Sequence, residues 1–324
     1  RELRRQTLGE EHPEVAASYA NLGDTYYRKG QYREALDNLQ RGLRIYQKSL
    51  EENHSNFAQC YLSLGLVHAA LGEYDEALAQ YELARQVYVK AFGAQHPDLA
   101  ACYNMSGKVH AQRGEHTAAV RAYEQARALA QHAFGAQHPI VAEAEFNLGE
   151  IYFALREHAA ALQHYQRALL ALVPSFADTT LVSNPTASAL PALPLLRDIL
   201  RAKAEALAQS SAARPPRLEA MHAAFATHVL HADLLDRLRT DYQAEGSKLL
   251  LAQKARASYA LALQSALQLY EVTRDSIYQH HAFAFAEKSK VAVLAEALQE
   301  TKARQFAGMP DSVLEQERTL RIDL

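Results

Sequence analysis

The sequence predicts an all-α chain, a solenoid of stacked helical hairpins, and three observations carry that prediction. The hexapeptide Phe92-Gly93-Ala94-Gln95-His96-Pro97 returns unchanged as Phe134-Gly135-Ala136-Gln137-His138-Pro139, 42 residues on, and the same register reaches back to Asn53-His54-Ser55 and Glu11-His12-Pro13. Four copies at one spacing make an internal repeat, and repeats of this length are supersecondary units that bury their apolar faces by stacking on one another. Small residues keep the register too: Gly23, Gly65, Gly107 and Gly149 share one column, and Ala35, Ala77, Ala119 and Ala161 another. The composition favours Ala, Leu, Gln, Glu and Arg, which form helices well, and is sparse in Val and Ile, which argues against a large sheet.

In the first complete copy, Tyr19, Leu22 and Tyr26 recur at helical spacing and predict a first helix over 16–28. Gly30 ends it, because a residue without a β-carbon adopts the left-handed cap without strain; Gly72 and Gly114 share the column and Arg156 breaks it. Ala35, Leu36, Leu39, Leu43 and Tyr46 form the apolar stripe of a second helix over 33–49. A glycine inside a helix costs about 1 kcal/mol relative to alanine, so four in register need a packing reason. Gly23 and Ala35 are therefore placed where the two helices cross. Tyr19, Tyr61 and Tyr103, and Tyr81, Tyr123 and Tyr165, are expected to fill the space around the crossing with their hydroxyls at the solvent edge. In the hexapeptide, Phe92 is expected to close a helix by packing, Gly93 to cap it and Pro97 to open the next, so that the motif sets the angle between hairpins.

The order aromatic, Leu-Gly, aromatic, Gly-x-Tyr, Ala, carried by Tyr19, Leu22, Gly23, Tyr26, Gly30, Tyr32 and Ala35, resembles the tetratricopeptide repeat. Departures are His68 in the second copy, Ser106, His110 and His116 in the third, and Glu145 and His158 in the fourth. The period of 42 and the Gly-x-x-His-Pro junction are most similar to the long repeats of kinesin light chains. The resemblance spans residues 1–172. It implies a right-handed solenoid with the end of a preceding repeat at 1–8, four regular repeats over 9–172, and degenerate, longer hairpins beyond. It also implies that first helices line a concave face that binds a protein or peptide. The recognition columns read Asn21/Asp24/Tyr27, Ser63/Leu66/Ala69, Met105/Lys108/Ala111 and Asn147/Glu150/Phe153, with Asn104 and Phe146 in the column before. Candidate binding residues are thus Asn21, Asp24, Tyr27, Asn104, Lys108, Phe146, Asn147, Glu150 and Phe153. Asparagine carries both a donor and an acceptor and can pair with a peptide backbone of any sequence, which puts Asn21 and Asn147 first. The alternative for each residue is a solvated helix position.

After Leu172 the register fails, and of 13 glycines only Gly246 and Gly308 lie beyond residue 150. Pro174, Pro185, Pro191 and Pro194, among Ser, Thr and Asn, mark an irregular connection. Helical pattern returns over 193–208, 215–242, 247–272 and 277–306, with Leu251, Ala255, Tyr259, Leu263, Leu267 and Tyr270 along one stripe and Asp311 capping a last helix. These segments divide into a linker and degenerate hairpin at 173–245, a hairpin at 246–306, and the start of a connection at 307–324. The runs from Ala282 to Lys290, Leu294 to Leu298 and Phe306 to Pro310 resemble the region preceding the CHAT domain, a caspase-related module, in bacterial TPR–CHAT proteins. Ser175-Phe176 and Glu245-Gly246-Ser247-Lys248 resemble the linker of the same family. That resemblance implies a sensor or regulatory arm, with an effector beginning after Leu324 as a second candidate partner, and the chain is expected to be a fragment. A plain adaptor with no attached enzyme is the rival reading. Without the family, Glu287-Lys288-Ser289-Lys290 reads as a solvated helix face.

Other classes find little support. The net charge of −3 with mixed signs gives no footprint for nucleic acid. No apolar run reaches the roughly 20 residues of a membrane span. Cys60 and Cys102, themselves 42 apart, occupy equivalent places in two repeats, so no disulfide is expected and a cytoplasmic location is. Of 15 histidines, eight fall in repeat columns; His222, His228 and His231, and the pair His280-His281, come nearest to a metal site, but no cysteine accompanies them. No Gly-x-Ser-x-Gly elbow or glycine-rich phosphate loop occurs, so no catalytic residue, metal or cofactor is expected.

Overall fold

The computed structural model describes residues 9–51, 54–187, 194–211, 217–241 and 245–290, the side chains of 239–254 excepted. Among the described residues every regular element is helical. The chain forms two units, Arg1–Ala177 and Asp178–Leu324. The first contains α1 (Pro13–Arg28), α2 (Tyr32–Ser49), α3 (Ser55–Leu71), α4 (Tyr74–Phe92), α5 (Leu99–Gln112), α6 (His116–Phe134), α7 (Pro139–Ala154) and α8 (His158–Leu172). Helices pair in the predicted hairpins, α1 with α2 through α7 with α8, and each second helix packs on the first helix of the next repeat. This is the expected solenoid of hairpins.

Three of the four junction histidines start first helices. The Nδ1 atoms of His12, His54 and His138 accept the backbone N–H of Glu14, Asn56 and Ile140 at 3.2, 3.2 and 3.3 Å. His96 accepts that of Asp98 at 3.4 Å, ahead of a short turn. The imidazole thus satisfies one of the donors that a helix N-terminus leaves open, a role more often filled by Ser, Asp or Asn. Pro13 and Pro139 follow at the first helical position, where the missing N–H costs nothing. Phe92 does pack, but not into the core. It is 51% exposed, and its ring stacks on His96 at 4.5 Å, as Phe134 does on His138 at 4.2 Å.

The turn inside each hairpin is the same in all four repeats. The N–H groups of Gln31, Glu73, Glu115 and Glu157 reach back to the carbonyls of Tyr26, His68, His110 and Tyr152 at 2.9 Å. This six-to-one bond requires a left-handed residue between, supplied by Gly30, Gly72 and Gly114 at φ +74, +80 and +75°. Arg156 adopts it as well, at φ +63°. The fourth copy thus keeps the backbone of the motif with a side chain that the conformation disfavours.

The glycine column has a definite partner. A Cβ on Gly65, Gly107 or Gly149 would lie 2.3, 2.6 or 2.5 Å from a ring carbon of Tyr81, Tyr123 or Tyr165; on Gly23 it would lie 2.5 Å from Leu39 Cγ. Each tyrosine is seated on bare backbone of the first helix, sixteen residues before it in sequence. Two further small columns serve the same crossing. Ala16, Ala58, Ala100 and Ala142 are wholly buried, and so are Ala84, Ala126 and Ala168 in the column that begins with Gly42. Between hairpins, the core continues through Ala35, Leu39, Leu64 and Val67, and again through Ala119, Tyr123, Leu148 and Ile151.

The second unit contains α9 (Pro194–Ser211), α10 (Leu218–Asp241), α11 (Glu245–Thr273) and α12 (276–290), with α10 packed on both α9 and α11. The buried side of α11 is Ala255, Ser258, Tyr259, Ala262, Ser265, Ala266 and Leu269. The predicted stripe therefore needs correction at Leu267, which is exposed. Steps of four residues advance about 40° past a full turn on a helix of 3.6 residues per turn, so a strict i+4 series drifts off the buried face. Leu251, Pro215-Pro216 and the predicted segments beyond residue 290, including Asp311, fall outside the described side chains or residues. Lys288 is no solvated bystander: it bridges to Asp236 at 3.1 Å and Asp233 at 3.7 Å and lies 5.7 Å from the ring centre of Tyr259.

Two substitutions test this reading of the repeat. Gly107→Ala should destabilise the chain by about 1–2 kcal/mol in urea titration, because the displaced Tyr123 ring outweighs the better helix propensity of alanine. Arg156→Gly should stabilise it by about 0.5–1 kcal/mol by relieving the left-handed strain.

Candidate protein-binding face of the first helices

Successive first helices touch one another, α1 with α3, α3 with α5 and α5 with α7, whereas successive second helices make no comparable contact among the described residues. The first helices therefore form one continuous strip. Lys108 of α5 spans that strip to Glu143 of α7 at 2.7 Å. Both side chains remain partly exposed, which makes the bridge weak and exchangeable.

The predicted site residues do not share one environment. Asn21 is exposed, and Asp24 and Tyr27 are half-buried, the Tyr27 ring lying 5.9 Å from that of Tyr32. Phe153 is half-buried, with an edge contact to His158 at 5.5 Å. Phe146 and Glu150 are tied to the hairpin interior: both meet Tyr165, the first by ring contact at 6.1 Å, the second by accepting its hydroxyl at 2.6 Å. Tyr165 is fully buried, so its hydroxyl is satisfied inside the hairpin and not at the solvent edge. Asn104 and Asn147 are 2% and 9% exposed, so neither is a solvated surface position. Asn104 Oδ1 and Asn147 Nδ2 are buried and have no hydrogen-bond partner among the described residues. A buried amide left unsatisfied costs about 1–3 kcal/mol.

An ionic cluster that the sequence reading did not identify lies where α6, α7 and α8 meet. Glu145, 5% exposed, accepts from Arg127 at 3.3 Å and pairs with His164 at 2.7 Å. The ring of His164 stacks on Tyr152 at 5.1 Å. The column arithmetic holds the clue. Arg85 and Arg127 are equivalent, and Arg85 faces Tyr103, the residue equivalent to Glu145. When the tyrosine becomes a glutamate, Ala122 becomes His164 and supplies the second partner. Similar pairs, His68 with Glu73 and His110 with Glu115, both at 2.6 Å, brace the hairpin turns.

The two cysteines of the repeat unit are not poised for chemistry. Cys60 and Cys102 are free and buried, and burial pushes both thiols up to about 12, far from a reactive thiolate. In the second unit His222 faces Tyr278 at 3.0 Å and His231 faces Ser258 at 3.0 Å, so the histidine trio does not converge. Among the described residues, no group of His, Cys, Asp or Glu is placed to hold a metal, and no helix is long and apolar enough to cross a membrane.

Comparison with known proteins agrees with this architecture. A family model described as tetratricopeptide repeat matches residues 1–48, 57–132 and 106–169. The hairpins of the first unit are tetratricopeptide repeats. Among solved structures, BtubC (BKLC) from P. vanneervenii superposes with a TM-score of 0.55 at 17% identity, over 72% of this chain and 84% of that one. The nearly identical TPR-like repeats of a kinesin-light-chain-type protein from Podosopora anserina give 0.53 at 19%, over 68% and 97%. The apo form of RapI gives 0.54 at 12%, over 89% and 99%. At these identities the likeness is one of fold. No sequence among curated proteins matches the chain.

The cluster at Glu145 is open to a direct check. Glu145→Ala should cost about 2–4 kcal/mol in urea titration, since it leaves Arg127 and His164 facing an emptied acceptor site. Glu145→Gln, which keeps an acceptor, should cost about half as much.

Proposed function

We propose that the chain is a non-catalytic scaffold that binds a protein or peptide partner along the strip of first helices. The observation that carries this reading is the strip of contacting first helices, which holds two buried amides, Asn104 and Asn147, each with one atom unpaired among the described residues. Those atoms are covered, so a partner pairs with them once the side chain turns outward. Repeat two has Leu62 and Ser63 in the corresponding columns, so the fold does not require asparagine there. An extended backbone offers the carbonyls and N–H groups that an amide can pair with irrespective of sequence. Asn21, Asp24, Tyr27, Lys108 and Phe153 line the same strip and would set specificity. We read this strip as the concave face, because successive helices approach one another on the inner side of a curved array. Phe146 and Glu150 would act indirectly, by holding Tyr165.

In finer detail, we read the chain as the sensor arm that precedes a CHAT effector, with a cytoplasmic location. Support comes from the run beginning at Ala282 and from two thiols that suit a reducing compartment. An adaptor without an effector has the same binding face, and the two differ in whether a protease-like domain follows Leu324 in the intact gene product.

The binding face is tested by peptides selected from a random library on the wild-type chain and measured by fluorescence anisotropy. Asn104→Leu, which installs the repeat-two residue, should stabilise the fold by about 1 kcal/mol and weaken peptide binding by about tenfold or more. Asn147→Ser should weaken binding likewise. Unchanged affinity in both variants would contradict the assignment.

A further inference from the structure

The second unit buries basic side chains at the centre of its helices. Lys203 of α9 has no exposed surface, and His228 and His231 of α10 are 2% and 4% exposed. Lys203 Nζ donates to the Ser183 carbonyl and, at 3.1 Å, to Asn184 Oδ1. The Asn184 amide in turn donates to Thr227 Oγ1 of α10 at 2.8 Å. The segment 178–187 is thereby tied to both helices, and Arg237 adds a bond to the Ala187 carbonyl. His231 Nδ1 lies 3.0 Å from Ser258 Oγ of α11, and His228 Nδ1 has no partner among the described residues.

The charges that act on His231 are of its own sign, and the carboxylates nearby are engaged by other cations. On α9, Arg197 and Arg201 act on His231, and their counter-ions Asp198 and Glu205 lie on the same helix at 2.7 and 3.0 Å. His228 also acts on His231, whereas burial alone acts on His228. Asp178 faces Lys203. On α10, Asp233 and Asp236 are engaged by Lys288 of α12, and Asp236 also accepts the Tyr259 hydroxyl of α11.

We propose that this cluster is a proton-operated switch: protonation of His228 and His231 parts α10 from α9 and α11 and releases the 178–187 segment at Ser183 and Asn184. Burial holds both imidazoles neutral in the closed unit, His228 down to about 4 and His231, with its cationic neighbours, down to about 3. Once opened to water they titrate near 6.5. The histidines therefore leave the closed form fully favoured well above pH 6.5, and it loses ground as the pH falls toward 4, because only the open form accepts the protons. At pH 5 each histidine shifts the balance toward the open form by about thirtyfold. Lys203, lowered to about 7 by burial, acts in the same direction between about pH 10.5 and 7 and its effect is constant below, so the acid step belongs to the histidines.

Hydrogen exchange of the full chain at pH 7.5 and 5, corrected for intrinsic rates, tests the switch. Protection of α9 and α10 should fall at least tenfold more than that of α1 to α8. His228→Leu keeps the bulk of the side chain and gives up no hydrogen bond among the described residues, and it should reduce the acid loss by about tenfold. His231→Asn, which can still face Ser258, should do the same; if one variant is unprotected already at pH 7.5, the other and the wild-type comparison between units decide. Equal losses in both units, or a wild-type acid loss in both variants, would overturn the proposal.

Discussion

A tyrosine ring lying on the bare backbone of a glycine is the contact on which the repeat array depends. At Gly65, Gly107 and Gly149 the ring of Tyr81, Tyr123 or Tyr165 occupies the volume of the missing β-carbon. That seat brings the two helices of a hairpin together, and the closeness forces alanine at positions such as Ala58, Ala77 and Ala84, each without exposed surface. A hairpin so tightly set behaves as one rigid unit. The junction then aims the next, since its histidine, which caps the first helix in three of the four copies, also stacks in two copies on the phenylalanine that ends the helix before. The first repeat shows the tolerance of the scheme, with Leu39 seated on Gly23 in place of a ring.

Much of this was legible in the sequence because the sequence states it four times. A column of glycine or alanine at a period of 42 locates the helix crossing, and the left-handed glycines locate the turns. The partner of each glycine was harder to read, because it lies sixteen residues away on another helix and periodicity along one helix does not reveal it. The histidine caps were hidden for a different reason. Imidazole is an uncommon capping group, so His12 and His54 read as spacing when they are hydrogen-bond acceptors. Glu145 looked like decay of the motif at one column, yet it is compensated by Arg127 and His164 from two other helices. Arg156 is the reverse case, a real departure that the backbone ignores.

Among the candidate binding residues, the sequence ordered the columns and the structure separates their roles. Asn21 stands in solvent, Phe146 and Glu150 serve the hairpin through Tyr165, and Asn104 and Asn147 are buried amides, each with one atom unpaired among the described residues. Helical periodicity assigns a side and says nothing of depth, so it could not distinguish these cases. The second unit was the least legible, since no repeat averages out its irregularities. There the apolar stripe of α11 turns with the helix, and basic groups occupy the core where the repeats place alanine and tyrosine. The two units thus differ in physical character: the core of the first is built mainly from small and aromatic residues around one ionic cluster at Glu145, and that of the second also encloses lysine and histidine.

The proposed binding function requires the first helices to be the surface that a partner covers. Hydrogen exchange on the full chain, with and without a peptide selected for binding, measures this most directly. Added protection should concentrate in α1, α3, α5 and α7, strongest where α5 meets α7. Protection confined to α2, α4, α6 and α8 would place the partner on the opposite side of the array and contradict it.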